Sequence, residues 1–129
     1  MILDASFLVD LLRGDPGARA ALAELEKGSE AVRIPAPALA KLAEAMARSR
    51  NPPREAARLE ALLLAAGGVA LTGAHALRAG RLVGEAARDG LAMDPLDAMT
   101  AAIALEEGET LVTRAREYER VEGLRVRGY

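Results

Sequence analysis

Three residues are the first candidates for chemistry: Asp4, Asp97 and Thr113. Asp4 cuts short the apolar run Met1-Ile2-Leu3, and a helical pattern starts at once in Ala5-Ser6-Phe7-Leu8-Val9-Asp10-Leu11-Leu12. It therefore stands at a strand-to-helix switch. Asp97 falls in the first turn of a helix opened by Asp94-Pro95, and Thr113 follows the strand candidate Thr110-Leu111-Val112. If the first and fourth strands are neighbours, the three groups converge. Converging carboxylates repel one another and call for a cation. Oxygen donors of this kind suit Mg²⁺ or Mn²⁺, with a substrate phosphate completing the shell. Such an ion activates water and stabilises charge on a phosphodiester. Each aspartate also has a plain structural role. Asp4 can N-cap the helix that starts at Ala5, and an acid at the position of Asp97 favours the helix dipole. Asp94 reads as the cap itself.

The elements that must position these groups follow from the punctuation. Asp15-Pro16 opens a helix that Lys27-Gly28 ends, with Asp as N-cap and Pro at its first position. Ala31-Val32-Arg33-Ile34 is a short strand candidate, and Pro35-Ala36-Pro37 is expected to delay a helix running over 38–49. Asn51-Pro52-Pro53 stops that helix and starts another, closed by Gly67-Gly68. Val69-Ala70-Leu71 reads as a strand, and Thr72 caps a helix through Arg88 that ends near Gly90. The helix opened by Asp94-Pro95 ends at Glu107-Gly108. One or two helical turns follow over 114–119, then a last strand in Leu124-Arg125-Val126. Short apolar strands alternating with helices predict a parallel sheet covered on both faces, a three-layer α/β sandwich forming one domain over 1–129. Ligands of such sheets bind outside the carboxyl ends of the strands, where Asp4 and Thr113 lie.

Composition narrows the chemistry. The chain of 129 residues has no Cys and one His, His75. Disulfides, thiolate zinc sites and cysteine nucleophiles are excluded. A net charge of −2 argues against coating nucleic acid by charge alone, although a nuclease with an acidic centre is compatible with it. With two Tyr, one Phe and no Trp, a base-stacking platform is not expected. No basic leader pattern and no apolar stretch near the roughly 20 residues of a membrane span are visible. The expectation is a soluble cytoplasmic protein with no membrane association.

Three stretches carry a resemblance: MILDASFLVDLL at the start, LDAMTAAIALEEG around Asp97, and TLVTRAREYERVEGLRV at the end. Together they resemble the PIN-domain ribonucleases, and within them the small VapC-like toxins of toxin–antitoxin pairs. The resemblance implies a five-stranded parallel sheet with helices on both sides. It also implies an acidic site holding Mg²⁺ or Mn²⁺, cleavage of RNA, a homodimer, and an antitoxin whose C-terminal segment wraps the toxin. By position, Asp4 matches the family's first acid and Asp97 its third, both as metal ligands. Ser6 and Thr113 match small hydroxyl residues that hold those acids.

Two positions depart from the family pattern. Lys41, in Ala38-Leu39-Ala40-Lys41-Leu42, stands where a Glu is expected, and Ala115 stands where an acid often follows Thr-Arg. Glu44, one turn beyond Lys41, and Glu117, two residues beyond Ala115, are the candidate replacements. Putting Lys in place of a ligand carboxylate moves the local charge by about two units in the cationic direction. Two readings follow. Either Glu44 and Glu117 complete a working ribonuclease, or Lys41 neutralises the aspartates and the fold binds an antitoxin or RNA without cutting. A phosphorylated receiver-like domain is a third reading, disfavoured because Ile34-Pro35 and Leu71-Thr72 offer no acceptor Asp. Arg114 and Arg116 are the candidate contacts to RNA phosphate. Glu44 has an alternative partner in Arg48, and Glu117 an alternative role as a solvated surface residue. His75 is expected at the surface, and Gly80 and Gly84 are expected to allow close helix packing. The helices over 15–27 and 38–50 could present apolar stripes to a partner.

Overall fold

The computed structural model describes residues 1–129, leaving aside the side chains of Pro52 and Glu55. Five short strands form one parallel sheet: β1 (Ile2–Leu3), β2 (Arg33–Pro35), β3 (Gly67–Val69), β4 (Leu111–Val112) and β5 (Val126–Arg127). Their spatial order is β3-β2-β1-β4-β5. The order therefore reverses at β1, which pairs with β2 on one side and β4 on the other. The crevice between the ends of β1 and β4 is the switch point where open sheets bind ligands.

Alternation along the strands feeds both faces. Leu3, Ile34 and Val112 point into a core with Phe7 and Leu8 of α1 (Ala5–Arg13), Ala18 and Leu25 of α2 (Pro16–Lys27), and Ala38 and Leu42 of α3 (Ala36–Ala47). Ile2, Val69 and Leu111 point the other way, onto Ala101, Ile103 and Ala104 of α6 (Pro95–Glu107). Helix α4 (Pro52–Ala65) packs beside α3, and α5 (Gly73–Arg88) beside α6. The expected three-layer α/β sandwich with a central five-stranded parallel sheet is thus what the chain forms. Each fully buried Leu or Ile contributes about 1.5–3 kcal/mol to holding the layers together.

Local chemistry sets the helix ends. Asp15 accepts from Ala18 N at 2.8 Å, and Asp94 accepts from Leu96 N and Asp97 N at 2.9 and 3.1 Å. Gly14 and Gly108 end α1 and α6 at φ 78° and 63°, a left-handed conformation that a side chain disfavours.

Several local expectations are corrected. Helix α3 begins at Ala36 rather than after Pro37, because a proline in the first helical turn forfeits no hydrogen bond. Gly67 and Gly68 lie in β3 rather than closing a helix. Gly80 and Gly84 are exposed, with open space where a side chain would stand, so they are not a packing surface. His75 is buried, not at the surface: its Nδ1 accepts from Thr72 N at 3.0 Å while Thr72 Oγ1 accepts from His75 N, a reciprocal cap. The stripes of α2 and α3 are largely spent on the chain's own core, through Ala18, Leu25, Ala38 and Leu42. No helix among the described residues is long and apolar enough to cross a membrane.

Candidate functional site

Asp4 leaves the end of β1 and N-caps α1, which realises its structural reading as a helix cap. Its Oδ2 accepts from Ser6 N at 3.2 Å, from Ser6 Oγ at 2.6 Å and from Thr113 Oγ1 at 2.8 Å. Its Oδ1 accepts from Tyr118 Oη at 3.0 Å. Thr113 is placed by β4 and steadied by Ala115 N, which donates to its Oγ1 at 3.0 Å. Ser6 and Thr113 thus both donate hydrogen bonds to Asp4.

Asp97 sits in the first turn of α6, and Lys41 projects from the second turn of α3. These helices pack directly on one another. The contact brings Lys41 Nζ to 2.6 Å from Asp97 Oδ1 and to 4.0 Å from Asp94 Oδ1. Burial raises the Asp97 pKa; Lys41 opposes that, and the charges of Asp4 and Asp94 reinforce it. Burial alone would lower the Lys41 pKa, but the bond to Asp97 and the charges of Asp97, Asp94 and Asp4 together raise it. Burial is the larger cause for Asp97, and the surplus of acids adds to it while being the whole cause of the rise at Lys41. Three carboxylates outnumber one ammonium, so the cluster holds protons more tightly than its parts would alone.

Tyr118 completes the centre and was not among the predicted site residues. It lies in the 3-10 helix Arg116–Arg120, is fully buried, and has its pKa pushed up by burial and then by Asp4 and Asp97. It thus stays a donor toward the carboxylates. The available signal was composition: with only three aromatics in the chain, a tyrosine placed five residues after Thr113 would be expected to bury its ring and find a hydroxyl partner. A second polar knot was also missed. Asp10 is buried, accepts from Tyr129 Oη at 2.7 Å and pairs with Arg114 at 3.0 Å. Tyr129 also stacks edge-on against Phe7. The signal there was an acid three residues after Phe7 on an otherwise apolar helix face.

The other predicted residues lie elsewhere. Glu44 is exposed and paired with Arg48 at 2.8 Å, which corrects its expected place beside Lys41. Being three residues on turns a helix by less than a full turn, and here that is enough to face solvent. Glu117 is corrected likewise: it is exposed and borders a groove between α5 and the 3-10 helix, with Arg81 and Arg120. The buried Tyr118 takes the inward position in its place. Arg114 is engaged by Asp10, whereas Arg116 is exposed and makes no ion pair among the described residues.

The divalent ion implied by the resemblance does not fit this donor set. Among the described residues no group of three or more His, Cys or acidic side chains is placed to hold a metal. Asp97 already faces an ammonium, and both oxygens of Asp4 are occupied by donors.

Comparison with known proteins gives a consistent picture. The PIN domain family matches residues 1–124. No curated protein matches the sequence. Among solved structures, the chain is similar to VapBC2 from Rickettsia felis, bound to a DNA fragment from its promoter. The TM-score is 0.88 at 22% identity, over 99% of this chain and 97% of that one. It is also similar to VapC20 of Mycobacterium tuberculosis, a toxin that cleaves the sarcin–ricin loop, with TM-score 0.74 at 15% identity over 92% of each chain. A third is VapBC-5 of Mycobacterium tuberculosis, a member of a family of toxin–antitoxin systems. Its TM-score is 0.71 at 18% identity, over 98% of this chain and 94% of that one. At such identities the likeness establishes the fold.

Proposed function

The chain belongs to the PIN domain family, and from that premise we propose that it is a VapC-like toxin subunit acting on RNA, cleaving phosphodiesters at the Asp4–Asp97 centre. The support for this reading is that Asp4, at the end of β1 and bonded to Thr113 and Tyr118, and Asp97, paired with Lys41, are near enough for each charge to bear on the other despite their separation in sequence. In this reading Asp97 accepts the proton of the attacking hydroxyl or water. Lys41 offers positive charge to the phosphate as charge develops on it, and Arg116 contacts the RNA backbone. An antitoxin partner is supported by the likeness to toxin–antitoxin proteins. The proposal includes a homodimer, which the family resemblance implies, and a cytoplasmic location, which the sequence reading suggests.

The test is incubation of the purified protein with RNA in Mg²⁺, in Mn²⁺ and in chelator. Discrete cleavage is expected, falling about a hundredfold or more in Asp97→Asn. RNA left intact under all three conditions overturns the cleavage reading. The Lys41–Asp97 contact at 2.6 Å favours one alternative, a PIN module that binds an antitoxin or RNA without cutting. That alternative requires retained binding in the absence of any cleavage.

A further inference from the structure

We infer that Lys41 is the resident cation of this centre, its ammonium standing where a divalent ion would have to approach Asp97, so that the folded chain holds no Mg²⁺ or Mn²⁺ there. The inference rests on the PIN reading only for the expectation of a metal. Ion binding is its readout, so its failure and the absence of RNA cleavage are separate results.

Four observations carry it. Lys41 Nζ lies 2.6 Å from Asp97 Oδ1, a charge-assisted contact, with Asp94 as a second acid at 4.0 Å. The Lys41 side chain is only one-third exposed and rises from a helix packed on α6, so its ammonium is held in the centre rather than swept through solvent. Asp4 Oδ2 is crowded by three donors, Ser6 N, Ser6 Oγ and Thr113 Oγ1, and Oδ1 accepts from Tyr118 Oη, which leaves Oδ1 one of its two lone-pair directions. Glu44 and Glu117, the only acids predicted as replacements, face away from it. A divalent ion entering here would meet an ammonium at close range and would have to break several hydrogen bonds to find oxygen ligands. Like charges in so sheltered a place repel strongly.

What meets an incoming anion is therefore an ammonium fixed to the chain. An RNA phosphate approaching Asp97 would find its counter-charge in Lys41, with no need of a metal to bridge two sets of negative oxygens. Recognition of this kind is insensitive to chelators. A single point charge also leaves the phosphate free to rotate, unlike the paired donors of an arginine.

The test is a Mn²⁺ titration, followed by calorimetry and by the loss of the free-ion spin signal. It is run on the parent, on Lys41→Glu, on Lys41→Gln, and on Lys41→Glu combined with Asp97→Asn. The parent is expected to show no stoichiometric binding. Lys41→Glu is expected to gain more than about tenfold in affinity, the scale on which even outer partners of a metal site matter, and the added Asp97→Asn is expected to remove the gain. Lys41→Gln, which removes the ammonium without adding a charge, should gain less, and it carries the test if Lys41→Glu does not fold. Stoichiometric Mn²⁺ binding by the parent that Asp97→Asn abolishes would overturn the inference. A folded variant lacking the ammonium that gains no affinity would do so too.

Discussion

At the residue scale the centre turns on Lys41, a base where the resemblance implies an acid. Lys41 does not merely fail to contribute a carboxylate; it pairs with the partly buried Asp97. Removing it while leaving Asp97 in place strands a charge, which in a fully buried pair costs about 3–5 kcal/mol. Because Lys41 is one-third exposed, solvent screens part of that, and about 1–2 kcal/mol is the expected loss in Lys41→Met near pH 7. The pH dependence has a definite sign. The folded-state pKa of Asp97 is already raised by burial and by its acidic neighbours, so the fold takes up a proton there more readily than the unfolded chain. Without Lys41 that tendency grows. The stability deficit of Lys41→Met should therefore be smaller at acidic pH than at pH 7, as Asp97 takes up a proton. Denaturant melts of parent and variant at both pH values check this, and a deficit that widens in acid would contradict it. At the alkaline end, the raised pKa of Lys41 means its contribution is complete below its ordinary pKa and is lost only as pH rises through the raised value.

At the element scale the site depends on how closely α3 can approach α6. Helix α6 is buried along its middle, where small residues prevail: Ala98, Ala101, Ala102 and Ala104 are buried with Thr100 and Ile103 among them. Ala101 and Ala104 pack against Ile2, Val69 and Leu111 of the sheet, and Ala98 and Ala102 against Ala79 of α5, which fixes where α6 presents Asp97. Ala101 has no exposed surface, so Ala101→Leu has no room for the added atoms. It should cost about 1–3 kcal/mol by overpacking, read as a drop in the denaturation midpoint. The elements themselves were legible because their signals are local. Asp-Pro caps at 15–16 and 94–95 and the glycine at 108 mark helix ends through their own backbone chemistry. The misread boundaries lie where local signals are ambiguous. Pro35-Ala36-Pro37 is compatible with a loop or with a helix start, and Gly67-Gly68 with a turn or with a strand at the sheet edge. In each case the choice was made by pairing and packing, through β2 with β3 and α3 against the core.

At the scale of the whole molecule, a net charge of −2 gives no long-range attraction for RNA, so any affinity must come from particular cations near the switch point. Arg114 and Arg116 are both exposed, but Arg114 is paired with Asp10, whereas Arg116 makes no ion pair among the described residues. If Arg116 meets a phosphate, Arg116→Ala should flatten the dependence of log K on log salt by about 0.7 for single-stranded RNA. A filter-binding series across salt concentrations measures this, and an unchanged slope removes Arg116 from the interface. The sequence by itself determined the three-layer parallel architecture, through apolar strands alternating with capped helices, and it pointed to Asp4, Asp97, Ser6 and Thr113. Those signals are properties of short segments and survive in one dimension. Only the tertiary structure decided which charge answers Asp97, that Tyr118 and not Glu117 turns inward, and that Glu44 faces solvent. The inward turn of Tyr118 is set by how the 3-10 helix Arg116–Arg120 seats against Asp4, whereas for Lys41 and Glu44 the outcome depends on the rotation of α3 against α6, where about 100° per residue separates a buried group from a surface charge. Spacing along the chain does not fix that angle; the packing of α3 on α6 does.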